Sequence, residues 1–313
     1  MTKPVTTFVL DVGSFGATCS PSQAQYIKNL NAKEHEAEFP EATDAIVKKH
    51  YVDDYLDSFD TEEKAIKVAL DVKTVHARGG FEIRNWHSNS AALLDRVGNT
   101  KHQESKVINV GTENEAERVL GLIWMPNEDY LAFAADLKLD EVTPTKRNIL
   151  RCVMSLFDSQ GILSHVTVQG RMIIQDTWRS QVSWDEEVSD SIQTRWRKWI
   201  KLLEEVNKIR LPRPYFPGFS AADIGCVDLH IFTDASEEAY AATAYFRTVK
   251  NEKVYCTLVM AKAKVAPLKA VSVPRLELMG ALLGARLAKT VCEYHTIPIR
   301  RLVLWTDSLA TLA

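Results

Sequence analysis

The spacing of apolar and polar residues changes twice along the chain and divides it into three predicted stretches. Residues 44–135 combine short alternating segments, which are typical of strands, with one helical segment over 61–78 that begins at the cap Thr61. Residues 143–209 carry apolar positions at helical spacing. After a proline-rich segment, strand-like spacing returns at Val227. The pattern predicts an α+β fold with a helical middle.

The finer pattern predicts individual elements in the first stretch. A helix is expected over 23–35, with Ser20 as its N-cap. A strand–turn–strand unit is expected over 44–60, and one strand over Phe81–Trp86. Residues 119–124 and 131–135 are expected to pair as a hairpin.

The remaining elements follow the same reasoning. Helices are expected from Thr143, over 163–180 and over 187–209, with the tryptophans of the last one in the core. The segment Leu211–Gly218 holds three prolines and is expected to be an extended linker. Beyond it, strands are expected over 227–233, 240–247, 254–261 and 302–305, and a helix is expected over 273–293.

Composition narrows the class of protein. The 313 residues are 46% apolar and 25% charged, with a net charge of −3, as in an ordinary globular protein. Residues 226–313 carry 11 Lys+Arg against 8 Asp+Glu, which weakly favours a polyanionic partner there. The five cysteines form no C-x-x-C pair, so we expect a reducing, intracellular compartment, cytoplasm or nucleus. Neither a signal peptide nor a membrane span is expected.

Two groups of acidic residues are candidates for chemistry. Asp53 and Asp54 lie side by side at the expected hairpin tip, where two carboxylates repel each other unless a cation lies between them. Asp234, Glu277 and Asp307 each lie at the end of a different expected element, so they can converge at one sheet edge. Each of the five also has a plain structural alternative, as a solvated turn residue or a helix cap.

A run of basic residues accompanies the second acidic group. Lys262, Lys264, Lys269 and Arg275 have no acidic residue among them and suit contacts to phosphates. The alternative is a solvated loop.

The order of these motifs resembles a known family. Tyr51-Val52-Asp53-Asp54 resembles the Y-x-D-D box of reverse transcriptases, and Leu120–Trp124 resembles their primer-grip hairpin. The segments around Asp234, Glu277 and Asp307 resemble the first three acidic motifs of ribonuclease H. Several segments between them are similar to the Pol polyprotein of Pao/BEL LTR retrotransposons, among them Thr145–Leu150, Phe157–Gly161, Ala263–Lys269 and Pro274–Leu278.

The resemblance implies a domain plan and a chemistry. It implies a partial reverse-transcriptase palm over 1–140, a helical thumb or connection over 141–220, and a truncated ribonuclease H-like α/β domain over 221–313. All five acids would then be catalytic ligands of Mg²⁺ or Mn²⁺, and the partner would be an RNA–DNA hybrid or template–primer. Gly121 and Trp124 would contact nucleic acid, and the remainder of a Pol polyprotein would be a further partner.

The chain also departs from the family pattern. A further palm Asp is expected upstream of Phe15, and a fourth acid and a histidine loop are expected beyond Ala313. We therefore expect both catalytic sites to be incomplete in this chain. Three interpretations stay open: a fragment without polymerase activity, residual ribonuclease H cleavage, and a non-catalytic hybrid-binding or interaction protein. Pao-type regions also carry an aspartic-peptidase label, but a retroviral-type D-[ST]-G motif is missing at Asp234 and Asp307.

Overall fold

The computed structural model describes residues 16–98, 117–119, 122–135 and 143–312. The chain divides into two compact units, Met1–Val110 and Gly111–Ala313. Both contain helices and strands, so the prediction of a mixed helix-and-sheet fold is confirmed. Within the described residues, no helix is long and apolar enough to cross a membrane.

The first unit is a small helical assembly with one short hairpin. Its apolar core forms where the first three helices meet, around Ala32, Ile46 and Val72. Its elements are α1 (Ser20–Glu34), α2 (Pro40–Lys48), β1 (His50–Tyr51), β2 (Asp54–Tyr55), α3 (Glu62–Arg78) and α4 (Ala91–Val97).

Three predictions for the first unit were wrong in detail. Helix α1 begins at Ser20 rather than at 23, and Cys19 is its N-cap. Residues 44–48 continue α2 instead of forming a strand, because Ala42, Ala45 and Ile46 face the core at helical spacing.

The third wrong prediction is the strand over Phe81–Trp86, where no strand forms. Ile83 packs against the core of α1–α3, whereas Trp86, three positions further on, packs against the cluster formed by α3 and α4, so the two residues do not share one face of a strand. The helix over 61–78 is confirmed, since the Thr61 side chain accepts a hydrogen bond from the Lys64 amide.

The second unit begins with an antiparallel sheet. Its strands are β3 (Glu117–Val119), β4 (Leu122–Met125), β5 (Tyr130–Ala132) and β6 (Arg210–Pro212), in the order β3-β4-β5-β6. The predicted hairpin is confirmed as β4–β5. The start of the predicted linker is instead a strand, because the Arg213 guanidinium binds the Asp129 carboxylate at 2.6 and 2.8 Å and holds the segment beside β5.

Three helices follow the hairpin, as predicted. They are α5 (Lys146–Ser155), α6 (Ser164–Arg179) and α7 (Asp190–Val206). Trp196 and Trp199 are 5% and 2% exposed and stack on each other, so the prediction that they belong to the core is confirmed. The Trp199 indole donates to the Val166 carbonyl at 2.8 Å, which satisfies its polar group inside the core.

A four-stranded sheet with one long helix completes the second unit. Strand β10 runs parallel to β7, and the other pairs are antiparallel, in the order β10-β7-β8-β9. Helix α9 packs on one face, with Gly284 against Thr233 and Ile231. The elements are α8 (Ala221–Ile224), β7 (Val227–Ala235), β8 (Ala239–Lys250), β9 (Lys253–Val265), α9 (Val273–Tyr294), β10 (Ile299–Trp305) and α10 (Leu309–Leu312). All four predicted strands and the predicted helix are confirmed.

The helical region contacts this sheet at the outer edge of β9. The Ala261 amide donates to the Gln160 carbonyl at 2.8 Å, and the Gln175 side chain donates to the Ala266 carbonyl at 2.6 Å. The loop before α6 therefore covers part of an edge strand that would otherwise expose unpaired backbone groups.

Candidate functional site

The Asp53–Asp54 pair lies at the tip of a minimal hairpin. Tyr51 pairs with Asp54, which leaves Val52 and Asp53 as the two residues of the turn. Val52 has φ 55°, a left-handed conformation that is strained for a β-branched residue, and its carbonyl accepts a hydrogen bond from the Gln25 side chain. Asp53 and Asp54 are both exposed, so the structure confirms the predicted hairpin tip and presents both carboxylates to solvent.

Asp234 and Asp307 line one groove at the ends of two neighbouring parallel strands. Thr233 faces α9, because a Cβ at Gly284 would lie 2.4 Å from its Cγ2, so the alternation of β7 places Asp234 on the opposite face. Asp307 follows the end of β10. The groove has a volume of about 430 Å³, and its other lining residues are Phe232, Thr233, Ala241, Thr243, Trp305 and Thr306.

Glu277 lies near the same edge but does not line that groove. It is in the first turns of α9, and its Oε2 accepts a hydrogen bond from the hydroxyl of Ser308, the residue after Asp307. The Thr233 hydroxyl donates to the Trp305 carbonyl at 3.3 Å and joins the ends of β7 and β10. The structure thus brings two of the three predicted acids together and ties the third to their neighbour.

In the described residues, the predicted acids do not form a group of three or more metal ligands. Across residues 16–98, 117–119, 122–135 and 143–312, no three or more His, Cys, Asp or Glu side chains are arranged to hold a metal ion. This applies to Asp53 and Asp54 as well as to the three acids of the second unit.

The basic residues lie mainly on the other side of the sheet. Lys262 and Lys264 pair with Ala242 and Tyr240, whose side chains pack on the α9 side. The alternation of β9 therefore directs both lysines to the face that α9 occupies, opposite Asp234. Lys269 and Arg275, in the loop before α9 and at its start, are exposed.

The predicted primer-grip residues are only partly described. Trp124 lies in β4, and its indole donates to Asp129 at 3.1 Å across the β4–β5 turn. Gly121 lies outside the described residues.

Two features of the sheet were missed in the sequence. The rings of Phe232 and Trp305 stack at 5.8 Å with 6° between their planes and form a wall of the groove. The signal for this wall was the alternation of His230, Phe232 and Asp234 along one side of β7. The Trp305 indole also donates to Nδ1 of His230 at 2.9 Å.

The second missed feature is a buried acid in the same strand. Asp228 is 5% exposed and binds the Arg300 guanidinium at 3.0 and 2.9 Å, with Arg247 at 3.3 Å. The hydrogen bonds from Arg300 hold the pKa of Asp228 below its usual range. The signal in the sequence was an aspartate between two apolar residues, Val227 and Leu229, at the start of the strand.

Comparison with known families identifies the class to which this sheet, helix and acidic groove belong. A family model described as the Pao retrotransposon-like RNaseH-like domain matches residues 145–308. The chain belongs to this family, which confirms the family inferred from the motifs. No curated protein matches the chain.

Two solved structures of foamy viral protease-reverse transcriptase are similar at low identity. The form named dRH, in complex with double-stranded DNA, is 11% identical with a TM-score of 0.41, covering 82% of this chain and 38% of that one. The form in complex with an RNA/DNA hybrid is 9% identical with a TM-score of 0.39, covering 63% and 25%. The chain spans well under half the length of these structures.

Proposed function

We propose that the second unit binds an RNA–DNA hybrid and a divalent cation in the manner of a ribonuclease H of retrotransposon origin. The observation that carries the proposal is the shared groove of Asp234 and Asp307 at the ends of β7 and β10. Two carboxylates that face one groove favour a bound cation, because the cation offsets their mutual repulsion.

The donor set suits Mg²⁺ or Mn²⁺. Both ions prefer oxygen ligands, and carboxylates are the protein groups most often used to hold them next to phosphates. Asp234 and Asp307 would hold the ion, and Glu277 would join them after leaving its hydrogen bond with Ser308. A bound ion would polarise a phosphate oxygen and lower the pKa of a bound water.

The basic residues supply the second part of the proposal. Lys262, Lys264, Lys269 and Arg275 would contact phosphates on the α9 side of the sheet, where their charges are exposed or directed outward. Such contacts release counterions, so the affinity for a hybrid should fall steeply as salt rises. An affinity that does not depend on salt would contradict this role.

A cleavage assay tests the proposal. The purified chain is incubated with a labelled RNA–DNA hybrid and Mn²⁺, beside Asp234→Asn and the matched control Glu204→Gln, which removes one exposed negative charge on α7. We expect any residual cutting to be shared by the parent and the control and to be absent in Asp234→Asn. Equal cutting by all three would identify a contaminating nuclease. Hybrid binding without any cutting would favour the non-catalytic alternative.

A second proposal concerns the hairpin of the first unit. We propose that Asp53 and Asp54 are a polymerase-type pair that binds Mg²⁺ or Mn²⁺ next to a template–primer, with Asp53 as the principal ligand. Its support is the turn that exposes both carboxylates. The described residues put no third acid beside them, so we expect metal binding without primer extension by this chain. Robust extension that is lost in Asp53→Asn would refute that expectation.

A further inference from the structure

A half-buried histidine and a buried histidine meet at the base of the hairpin that carries Asp53 and Asp54. His50 is the first residue of β1, and His76 lies in the last turn of α3. Their Nε2 atoms are 3.0 Å apart, and His76 is 3% exposed. One Nε2 must donate and the other must accept, so the accepting ring is neutral. His50 Nδ1 lies 3.4 Å from the Ala45 carbonyl, which can only accept a hydrogen bond, so His50 carries its proton on Nδ1 and accepts at Nε2.

Aromatic rings pack around the histidine pair. Tyr55, the partner of His50 across the hairpin, stacks on the His50 ring at 5.0 Å. Phe81 packs on His76 at 5.9 Å, and Trp86 meets the Tyr55 ring edge-on at 6.1 Å. The base of the hairpin is therefore fixed to α3 through side chains, whereas its strands are only two residues each.

The ammonium group of Lys28 disfavours a further positive charge on this pair, whereas the Asp57 carboxylate interacts with Tyr55 and Lys49. Lys28 of α1 is 5% exposed and donates to the Ile46 carbonyl at 2.8 Å. Asp57 accepts from the Tyr55 hydroxyl at 3.4 Å and lies 3.8 Å from the ammonium group of Lys49. Burial, and then the charge on Lys28, lower the pKa of both histidines to about 4. Nδ1 of His76 is buried without a hydrogen-bond partner.

We propose that the His50–His76 contact is a pH-sensitive latch that positions the Asp53–Asp54 hairpin. The latch is closed when both imidazoles are neutral and opens when either accepts a proton. Its consequence for metal binding rests on the proposed role of Asp53 and Asp54, but the latch itself does not depend on that role. His50 and His76 are positioning residues in this proposal, because neither contacts a reacting group.

Protonation opens the latch for two physical reasons. A protonated imidazole carries hydrogen on both nitrogens, so the Nε2–Nε2 hydrogen bond loses its acceptor once the accepting ring takes up a proton. The new charge also lies in a buried region beside Lys28. In the unfolded chain the same rings titrate near pH 6.5. The stabilisation is therefore fully present above that pH and declines as the pH falls through 6.5 towards 4.

The test follows the hairpin directly by NMR in the full chain. The Leu56 amide, which donates to the Lys49 carbonyl at 3.0 Å, reports whether the base of the hairpin is closed. Hydrogen-exchange protection of this amide is measured from about pH 7 to about pH 4.5, after correction for the intrinsic exchange rate, together with the ring nitrogens of both histidines. We expect at least about a tenfold loss of protection over this range.

Two variants separate the latch from general acid unfolding. His76→Gln keeps a hydrogen-bonding side chain that does not titrate, and it should reduce the pH dependence because only one of the two titrating rings remains. His165→Gln changes an exposed histidine in the other unit and should leave the dependence unchanged. Ring signals of His50 and His76 that both titrate near pH 6.5 in the parent chain would overturn the proposal, and this measurement needs no variant to fold. The same pH dependence in His76→Gln as in the parent would also overturn it.

A separate measurement isolates the metal-binding role. Broadening of the Asp53 and Asp54 signals by Mn²⁺ at about pH 7 tests whether the hairpin binds a cation. Absence of broadening would contradict the proposed function of the pair and leave the result on the latch unaffected.

Discussion

A methyl group added at Gly161 should lower the stability of the second unit. Gly161 lies in the loop before α6, with φ +74°, and an added Cβ would lie 1.7 Å from the Ala261 carbonyl oxygen. That oxygen belongs to the backbone of β9, so no side-chain rotation can relieve the clash. Gly161→Ala must therefore push the loop away from the edge of the sheet.

The expected cost has two parts. A left-handed conformation costs an alanine about 1 kcal/mol relative to glycine. Moving the loop also breaks the 2.8 Å hydrogen bond from the Ala261 amide to the Gln160 carbonyl, which is worth about 1 kcal/mol, and opens packing around it. We expect the free energy of unfolding to fall by about 2–4 kcal/mol.

Urea unfolding followed by tryptophan fluorescence measures this loss, because Trp196 and Trp199 are buried in the helical core. Gly218→Ala is the matched control: Gly218 has φ +79° and no atom within 4 Å of an added Cβ. The control should lose only the backbone part, about 1 kcal/mol. If both variants lose the same free energy, the contact between the loop and β9 does not stabilise the unit.

Three further changes have definite expected outcomes. Asp228→Asn should lower the free energy of unfolding in urea by about 2 kcal/mol, because it leaves Arg300 without its carboxylate partner. The fold lowers the pKa of Asp228, so the difference in stability between the parent and the variant should be present above about pH 4 and should decrease as the pH falls below it. Ser308→Ala should strengthen Mn²⁺ binding about fivefold in calorimetry, because Glu277 loses a competing hydrogen bond; weaker binding would contradict a ligand role for Glu277. Thr61→Ala should cost about 1 kcal/mol in the first unit by removing the cap of α3, and no change would show that the cap is not used.

The sequence predicted elements best where the apolar period was long. Strands β7 to β10 and helix α9 are each long enough to show their apolar period, and all of them were predicted. The strand expected at Ile46 failed because a short apolar run fits a helix turn as well as a strand. The strand expected over Phe81–Trp86 failed because Ile83 and Trp86 are partly buried against two different helical clusters, which does not require a sheet.

The acidic site could be predicted only to the level of elements. The sequence placed Asp234, Glu277 and Asp307 at the ends of predicted elements, and the structure brings those ends to one edge. The sequence could not reveal the hydrogen bond between Glu277 and Ser308, because this bond depends on how α9 packs beside the start of α10. Nor could it show that Lys262 and Lys264 lie across the sheet from Asp234, since this requires the register of β8 with β9.

The two acidic sites differ in what fixes their carboxylates, and this difference predicts the order in which they are lost. Asp234 is the last residue but one of β7, a strand that pairs with β8 at eight positions and with β10 at six and that packs against α9. Asp53 lies on a hairpin with two paired positions, and His50 of this hairpin contacts His76 of α3. Few backbone hydrogen bonds resist opening of the hairpin, so its amides should exchange before those of β7 as the pH is lowered. Hydrogen exchange measured across the whole chain at about pH 5 checks this order. If the amides of both regions exchange at the same pH, the hairpin is as stable as the sheet, and protonation of the histidine pair does not open it first.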